Sequence, residues 1–383
     1  MKKSLIKAIF YSLILGNLLV FTTCIAQTRS DNSTVLVNDQ IIYENPMAYE
    51  LMHIAFALTD STIVSNGYNV QNEIIAKNSR YYKDVINYFA PYRNHELILD
   101  LNKALKKSAS NFIYNVQLGN NLNFNKNQLS KVNIVPWIRR VYVDVKSVNK
   151  KKVADFARIS NFEKFYAKHK EYYQNELKMV QQNANVNEQQ KWLEKEFPSR
   201  YDNYRIIVSP LTGSTHFTQR FKFNSKRQCI MWVSTFKSDN QENNNIDKAR
   251  YLGTVMTEID HNYVNPVSNK YKKTLNALMD GTHRTKWTNG GASNSYKTGY
   301  KVFNEYMTHA VYLLFATQEL NDSEKQLVEK SRIDVMTQLR KFIKFAAFYE
   351  RLKLLYQERK SNETITDLYP KMIDWCKKEN TKL

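Results

Sequence analysis

The sequence predicts a helix-dominated α+β protein. Apolar residues recur at three- and four-residue steps over most of the chain, which is the pattern of amphipathic helices. Between residues 204 and 236 the pattern changes to short runs rich in aromatic and β-branched residues with turn residues between them, and this favours a small antiparallel sheet. A separate run of strands followed by helices is typical of the α+β class. The 383 residues are enough for two or three subdomains.

The beginning of the chain has the pattern of an export signal. Three lysines precede the apolar run 13–21, and Cys24-Ile25-Ala26 forms a small-residue cleavage site. We therefore expect a signal peptide over residues 1–26 and a secreted or periplasmic mature protein. Lipid anchoring through Cys24 is the alternative, although the residues before it fit a lipoprotein signal poorly. The run is too short to span a membrane, and the mature chain has no other candidate span.

The charge balance is strongly basic, with a formal net charge of +20. Removing the three lysines of the predicted signal peptide leaves +17, since 20 − 3 = 17. A charge of this size can indicate nucleic-acid binding, but the lysines are scattered apart from Lys150-Lys151-Lys152 and no nucleic-acid-binding module accompanies them. We expect no nucleic-acid partner.

The mature chain divides into three predicted regions. Residues 27–198 form a mainly helical region, which includes a long helical block at 150–196 with a break near 183–187. Its non-helical parts are possible strands at 112–118 and 137–145 and an edge strand at Val35-Leu36-Val37. Residues 199–320 contain the sheet and two helices, and residues 321–383 form C-terminal helices. Within the middle region, the polar stretch around Trp287, Gly290 and Gly291 is predicted to be a mobile loop.

One predicted helix carries residues suited to catalysis. An apolar stripe runs through Leu252, Val255, Met256, Ile259 and Tyr263, and a second face carries Thr254, Thr257, Glu258, His261 and Asn265. Asp260 is expected to point away from that second face. The helix is expected to end at Pro266, because the residue before a proline resists the helical conformation.

A second predicted helix, over residues 300–315, is apolar on nearly every side and should therefore be buried. It nevertheless carries Glu305 and His309, one turn apart. A carboxylate is costly to bury without a partner. We expect the two helices to bring Glu258, His261 and Glu305 together in one cavity.

These residues resemble a known class of enzyme. Thr257-Glu258-Ile259-Asp260-His261 resembles the H-E-x-x-H motif of gluzincin zinc peptidases, whose third ligand is a Glu on a later helix, as in Asn304-Glu305. A closer resemblance is to a family of secreted bacterial proteins of unassigned, peptidase-like function. It rests on the segments Tyr82-Lys83-Asp84-Val85-Ile86-Asn87-Tyr88-Phe89, Asn94-His95-Glu96, His261-Asn262-Tyr263-Val264-Asn265-Pro266 and Phe303-Asn304-Glu305-Tyr306-Met307-Thr308. The resemblance implies a gluzincin-like core at 199–320 and zinc or another divalent metal as cofactor. It also makes His261 and Glu305 the metal ligands and Glu258 the general base on a metal-bound water.

Thr257 departs from the motif, since a histidine is expected there and a hydroxyl is a poor zinc ligand. One hypothesis is that His309 replaces the missing ligand. The other is that His309 only hydrogen-bonds Glu258 or Thr257 in a metal-free core. Tyr306 and Tyr263 are candidate oxyanion donors. The leading expectation is a secreted metal-dependent hydrolase of peptide or protein substrates. The alternative is an inactive pseudopeptidase that binds a peptide, a glycan or a protein.

Overall fold

The structure is a computed structural model that describes residues 33–38, 40–65, 68–109, 111–112, 122–125, 128–131, 149–223, 226–237 and 244–382. The predicted signal peptide with Cys24, the predicted strand at 137–145 and nearly all of that at 112–118 lie outside these residues. The helices are α1 Met47–Ala57, α2 Val70–Ile74, α3 Arg80–Phe89, α4 Glu96–Lys107, α5 Lys150–Ile159, α6 Phe162–Lys168, α7 Lys170–Ala184, α8 Val186–Glu196, α9 Asn244–Lys270, α10 Lys272–Met279, α11 Gly299–Ala316, α12 Asp322–Asp334, α13 Phe345–Glu358 and α14 Ile365–Thr381. The strands are β1 Thr34–Asn38, β2 Ile41–Asn45, β3 Val64–Ser65, β4 Tyr68–Asn69, β5 Leu122–Asn125, β6 Gln128–Lys131, β7 Asn203–Val208, β8 Phe217–Phe223 and β9 Lys226–Val233. The helix-dominated α+β class is thus confirmed. Within the described ranges, no helix is long and apolar enough to cross a membrane.

The described residues divide into two compact units. The first comprises those of Met1–Leu36, Glu44–Leu177 and Val208–Thr215, and the second comprises Val37–Tyr43, Lys178–Ile207 and His216–Leu383. All the residues that the sequence analysis singled out for chemistry belong to the second unit.

The first unit is built around α1, which is buried on every side. The buried face includes Glu50, whose carboxylate accepts hydrogen bonds from Asn45 Nδ2 at 2.7 Å and from the Tyr81 hydroxyl at 2.8 Å. Burial raises the pKa of Glu50 to about 7, although these hydrogen bonds oppose the shift.

The helical block 150–196 is interrupted at Asn161 and Asn185, where the backbone enters the left-handed conformation that asparagine tolerates. The second of these breaks lies within the predicted interval.

The sheet is mixed, not purely antiparallel as predicted, and has five strands in the order β1-β2-β7-β9-β8. Strands β8 and β9 pair antiparallel, from Phe217 opposite Trp232 to Phe223 opposite Lys226. The rings of Phe217 and Trp232 stack with their centroids 4.4 Å apart, so the cross-strand pair at this end is also a packing pair. The predicted strands around residues 204–210, 217–223 and 229–236 are confirmed, and β1 lies at a sheet edge as the sequence analysis proposed.

Helix α9 continues through Pro266 to Lys270, so the prediction that Pro266 ends the helix is wrong. Proline has no backbone N–H and cannot donate to the carbonyl four residues earlier, which here belongs to Asn262. The Tyr201 hydroxyl donates to that carbonyl at 2.8 Å, and Arg220 Nη1 lies 3.4 Å from it. Side chains from outside the helix therefore replace the missing backbone hydrogen bond.

The stretch around Trp287 is firmly packed, which corrects the expectation of a mobile loop. It forms two short 3₁₀ helices, Gly281–Lys286 and Gly291–Ser295. Trp287 lies between them, is completely buried and donates from Nε1 to Asn380 Oδ1 at 2.8 Å. Although the stretch is polar in composition, the buried side chain of Trp287 fixes it in place, and the hydrogen-bond partner of Trp287 lies 93 residues further along the chain.

Candidate functional site

Helices α9 and α11 pack side by side and bring the predicted site residues together. Nε2 of His261 on α9 lies 3.9 Å from Oε2 of Glu305 on α11. Glu258 is one turn before His261, is half-buried and interacts electrostatically with Glu305. An imidazole and two carboxyl groups thus share one region. Glu258 and His261 lie on the same face of α9 because they are three residues apart, and the packing of α11 against α9 brings Glu305 to them.

Polar neighbours fix the orientation of His261. Its Nδ1 lies 3.3 Å from Asn265 Oδ1 and 3.3 Å from Thr308 Oγ1. Asn304 Nδ2 in turn donates to Asn265 Oδ1 at 3.0 Å. The ring therefore presents Nε2 towards Glu305. A histidine held through one nitrogen in this way has the other nitrogen available for a ligand or a proton.

Glu305 pairs with a residue that the sequence analysis did not identify. Its Oε1 accepts a hydrogen bond from Arg340 Nη2, and the same guanidinium nitrogen donates to the Tyr296 hydroxyl at 2.7 Å. Burial would raise the pKa of Glu305, but the positive charge of Arg340 and the hydrogen bond with His309 together outweigh burial and hold that pKa well below its ordinary value. Glu305 is therefore an ionised carboxylate neutralised by a guanidinium. Its Oε2 has no hydrogen-bond partner among the described residues.

His309 lies between two guanidinium groups. Its Nε2 is 2.7 Å from Arg340 Nη1 and 3.1 Å from Glu305 Oε1, and its Nδ1 is 3.3 Å from Arg332 Nη1. Burial lowers the pKa of His309 to about 3. The imidazole is therefore neutral. Its Nδ1 faces a guanidinium, which only donates hydrogen bonds, whereas its Nε2 faces both a guanidinium and the Glu305 carboxylate, which only accepts them. Among the described residues, His309 has no hydrogen bond with Glu258 or Thr257, which the second hypothesis expected.

Arg332 reaches His309 because α9 carries a glycine opposite it. A Cβ at Gly253 would lie 2.6 Å from the Tyr312 ring and would also meet the Arg332 guanidinium. That guanidinium lies over the Tyr312 ring, 4.5 Å from its centroid. Thr257, one turn along α9, donates its hydroxyl to the Gly253 carbonyl at 2.8 Å. The side chain at the position of the missing histidine is thus bonded to its own helix.

Glu258 and Asp260, two of the carboxyl groups of α9, are shifted towards their neutral forms. Burial and the negative charge of Glu305 raise the pKa of Glu258 to about 8, against a smaller opposing effect of Arg340. Asp260 is completely buried, and neither of its carboxyl oxygens has a hydrogen-bond partner among the described residues. Burial raises the pKa of Asp260 well above its ordinary value, and the charges of Glu258 and Glu305 add to this.

The two candidate oxyanion donors make structural hydrogen bonds instead. The Tyr263 hydroxyl lies 2.6 Å from the Tyr204 hydroxyl, and the Tyr306 hydroxyl donates to the Trp287 carbonyl at 2.6 Å. Tyr263 and Tyr306 are completely buried. Their contacts give no support to a role in stabilising an oxyanion.

The described donor set does not fit a three-ligand zinc site. Bond lengths of about 2.0–2.2 Å and a tetrahedral angle place two ligand atoms roughly 3.3 Å apart, so His261 Nε2 and Glu305 Oε2, at 3.9 Å, come near the required spacing. Thr257 and His309 are occupied by the contacts described above. Among the residues that the structure describes, no group of three or more His, Cys, Asp or Glu side chains could hold a metal ion.

Sequence reasoning missed Arg340 because no helical pattern points to it. It follows a π-helix, Val335–Leu339, and precedes Lys341, whose φ of 64° is left-handed. The Arg340 carbonyl accepts a hydrogen bond from Ser293 N at 3.0 Å, which ties this turn to the second 3₁₀ helix. The one available signal was the buried carboxylate of Glu305, which requires a cationic partner somewhere in the chain.

Comparisons of the chain with protein-family models, with curated proteins and with solved structures found no match.

Proposed function

We propose that the protein is a metal-free, peptidase-like binding protein in which the Arg340 guanidinium takes the place of the metal cation. In this proposal it is an exported pseudopeptidase that holds a peptide or protein partner without cleaving it. The observation that carries the proposal is the pairing of Arg340 with both Glu305 and His309.

Charge supports this proposal. Glu305 is nearly fully buried, and one positive charge already balances its negative charge. A divalent cation between His261 and Glu305 would lie beside a guanidinium held in the same region. Like charges at such short range repel strongly where water is largely excluded. Metal binding would therefore require Arg340 to leave the site.

In the metal-free site, the protonation of Glu258 agrees with the proposal. A general base must be ionised to accept a proton. With a pKa of about 8, Glu258 is roughly nine-tenths protonated at neutral pH. In that form it can donate a hydrogen bond to a bound carbonyl group, which is a binding role.

Metal-dependent peptide hydrolysis is the second candidate function. The orientation of His261 and the approach of its Nε2 to Glu305 Oε2 favour it, since these are two of the three ligands that such a site needs. This candidate requires a third ligand and the displacement of Arg340.

Metal analysis and a protease assay separate the two candidates. We expect the mature protein, purified without chelator, to carry well under one equivalent of any divalent transition metal and to leave labelled casein intact. Stoichiometric metal, together with chelator-sensitive cleavage that Glu258→Gln abolishes, would overturn the proposal.

Reconstruction of the motif tests the role of Arg340 directly. Thr257→His alone should leave zinc affinity low, because the guanidinium stays in place. Thr257→His combined with Arg340→Met should bind zinc at least about a hundredfold more tightly than Thr257→His alone. The matched control is Thr257→His with Arg250→Met, since Arg250 is an exposed arginine on α9, the helix that carries Thr257. Equal affinities in the two double variants would show that Arg340 does not exclude the metal.

A further inference from the structure

A separate cavity lies in the second unit, between α8, the first turns of α9 and the end of α11. Its volume is about 700 Å³. Sites for drug-sized ligands typically enclose about 300–1,000 Å³. We propose that this cavity binds a small amphipathic anion, with an aromatic or acyl body and one carboxylate or sulfonate group. The inference goes beyond the proposed function and does not depend on it.

The floor of the cavity is apolar and partly open to solvent. Trp192 and Phe315 form a ring pair with centroids 5.3 Å apart, and neither ring is fully buried. Leu252, Ala316 and Leu320 complete the apolar lining. A planar or extended apolar ligand could cover these surfaces, and burying the open faces of two aromatic rings would contribute a large share of the binding free energy.

The rim carries positive charge that other side chains do not neutralise. Lys191, Lys195 and Lys248 line the cavity, together with Glu188 and Glu319. Lys191 pairs with Glu188 at 2.8 Å, so these two charges balance each other. Lys195 and Lys248 form no ion pair or hydrogen bond with any residue in the described part of the chain, and they outnumber the one remaining carboxylate, Glu319.

The two lysines come from different helices. Lys195 follows Trp192 by three residues on α8, and Lys248 precedes Leu252 by four residues on α9, so each lies one turn from an apolar floor residue. An anionic group attached to a body lying on Trp192 and Phe315 could therefore reach both ammonium groups. This combination favours an anion with an apolar body over a purely polar anion or a neutral apolar ligand.

Two fluorescent probes that differ in charge test the proposal. Anilinonaphthalene sulfonate is an anionic aromatic amphiphile, and phenylnaphthylamine is its neutral counterpart. We expect the sulfonate to saturate at one probe per folded chain and to bind about threefold to thirtyfold more tightly than the amine, because exposed ion pairs each contribute modestly. Dodecanoate should displace the sulfonate, whereas dodecanol should displace it much less.

Variants locate the binding. Lys195→Gln with Lys248→Gln should remove most of the preference for the sulfonate and change the affinity for the amine less than about twofold. Lys273→Gln with Lys301→Gln is the matched control, because it removes the same charge from exposed positions, and Lys301 lies about 21 Å along α11 from Phe315. Trp192→Ala should weaken both probes by about tenfold, and Trp192→Leu serves if the alanine variant does not fold.

The outcomes are decisive in either direction. Equal affinity for both probes, or an equal loss in the two lysine double variants, would show that the rim charge does not select the ligand. Unchanged binding by a folded Trp192 variant would place the probe outside this cavity. Any one of these three results would overturn the proposal.

Discussion

The pairing of Glu305 with Arg340 is the contact on which the interpretation of the site depends, and a double-mutant cycle can measure it. The variants are Glu305→Gln, Arg340→Met and the combination of the two. Each single change removes one charge and leaves the other in a largely buried place, since the Glu305 side chain is 4% exposed and that of Arg340 is 26% exposed. The double variant leaves no charge from the pair.

The expected magnitude follows from burial. Removing one partner of a buried ion pair costs about 3–5 kcal/mol, because the remaining charge is uncompensated. The partial exposure of Arg340 puts each single variant near the lower limit, at roughly 3 kcal/mol. Replacing both charges costs much less, since nothing charged is left unpaired. Taking the double variant at about 1–2 kcal/mol, we expect a coupling energy of about 4–5 kcal/mol between the two positions.

Urea unfolding followed by tryptophan fluorescence is a suitable assay. Trp192, Trp232, Trp287 and Trp375, four of the five tryptophans, lie in the second unit, so the signal mainly follows the part that holds the site. The control cycle is Lys330→Met with Asp334→Asn on α12, an exposed ion pair at 2.7 Å that should show a coupling below about 1 kcal/mol. A coupling for Glu305 and Arg340 no larger than that of the control would refute the proposed role of the guanidinium.

The pH dependence of this coupling has a definite sign. Because the pKa of Glu305 is held below its ordinary value, its contribution to stability is complete above that ordinary value and is lost only as the pH falls through the lower folded-state pKa. The coupling should therefore be similar at pH 7 and pH 5. A marked loss at pH 5 would mean that the carboxylate is not held by a cation.

Three further predictions concern other features of the fold. Gly253→Ala should lower the unfolding free energy by about 1–2 kcal/mol in urea titrations, because a Cβ 2.6 Å from the Tyr312 ring overpacks the helix contact by more than the gain in helix propensity; a stabilised variant would contradict the contact. Glu50 has a pKa raised from 4.5 to about 7, so its contribution to stability should fall by up to about 3 kcal/mol as pH rises from 4.5 to 7, since 2.5 pKa units at 1.36 kcal/mol each give about 3. Unfolding at pH 5 and pH 8 should accordingly show a smaller loss of stability with rising pH in Glu50→Gln than in the wild type, and equal losses would disprove this. Tyr201→Phe should cost about 1–2 kcal/mol in the wild type and less in a Pro266→Ala background, where the backbone N–H is restored, and a cost unaffected by that background would show that the hydroxyl does not replace it.

The parts of the site that lie on helices could be predicted from the sequence. Glu258 and His261 share a face of α9 because of their spacing, and Glu305 was expected to face them because a carboxylate on a buried helix requires a polar or charged partner. Periodicity determines which side of a helix a residue occupies, and two long buried helices leave few ways to pack. This is why the approach of His261 to Glu305 was foreseeable.

The features that the sequence did not predict depend on residues far apart in the chain. Pro266 is tolerated within α9 because Tyr201 donates to the orphaned carbonyl of Asn262, and Trp287 is fixed by Asn380. Local rules for proline and for polar loops describe the chain before tertiary contacts form. Distant side chains that complete missing hydrogen bonds override those rules, and a single sequence does not reveal them.

The arrangement of charges around His309 supports the proposal that this site holds no divalent cation. Two guanidinium groups, Arg332 and Arg340, converge on a neutral imidazole, and Glu305 supplies a full negative charge beside them. Glu258, being largely protonated at neutral pH, adds little negative charge. Because the positive charge already equals or exceeds the negative charge, an added divalent cation would meet net repulsion. In the proposed function, the same residues that suggest a metal site in the sequence form, once folded, a site whose cation is part of the chain.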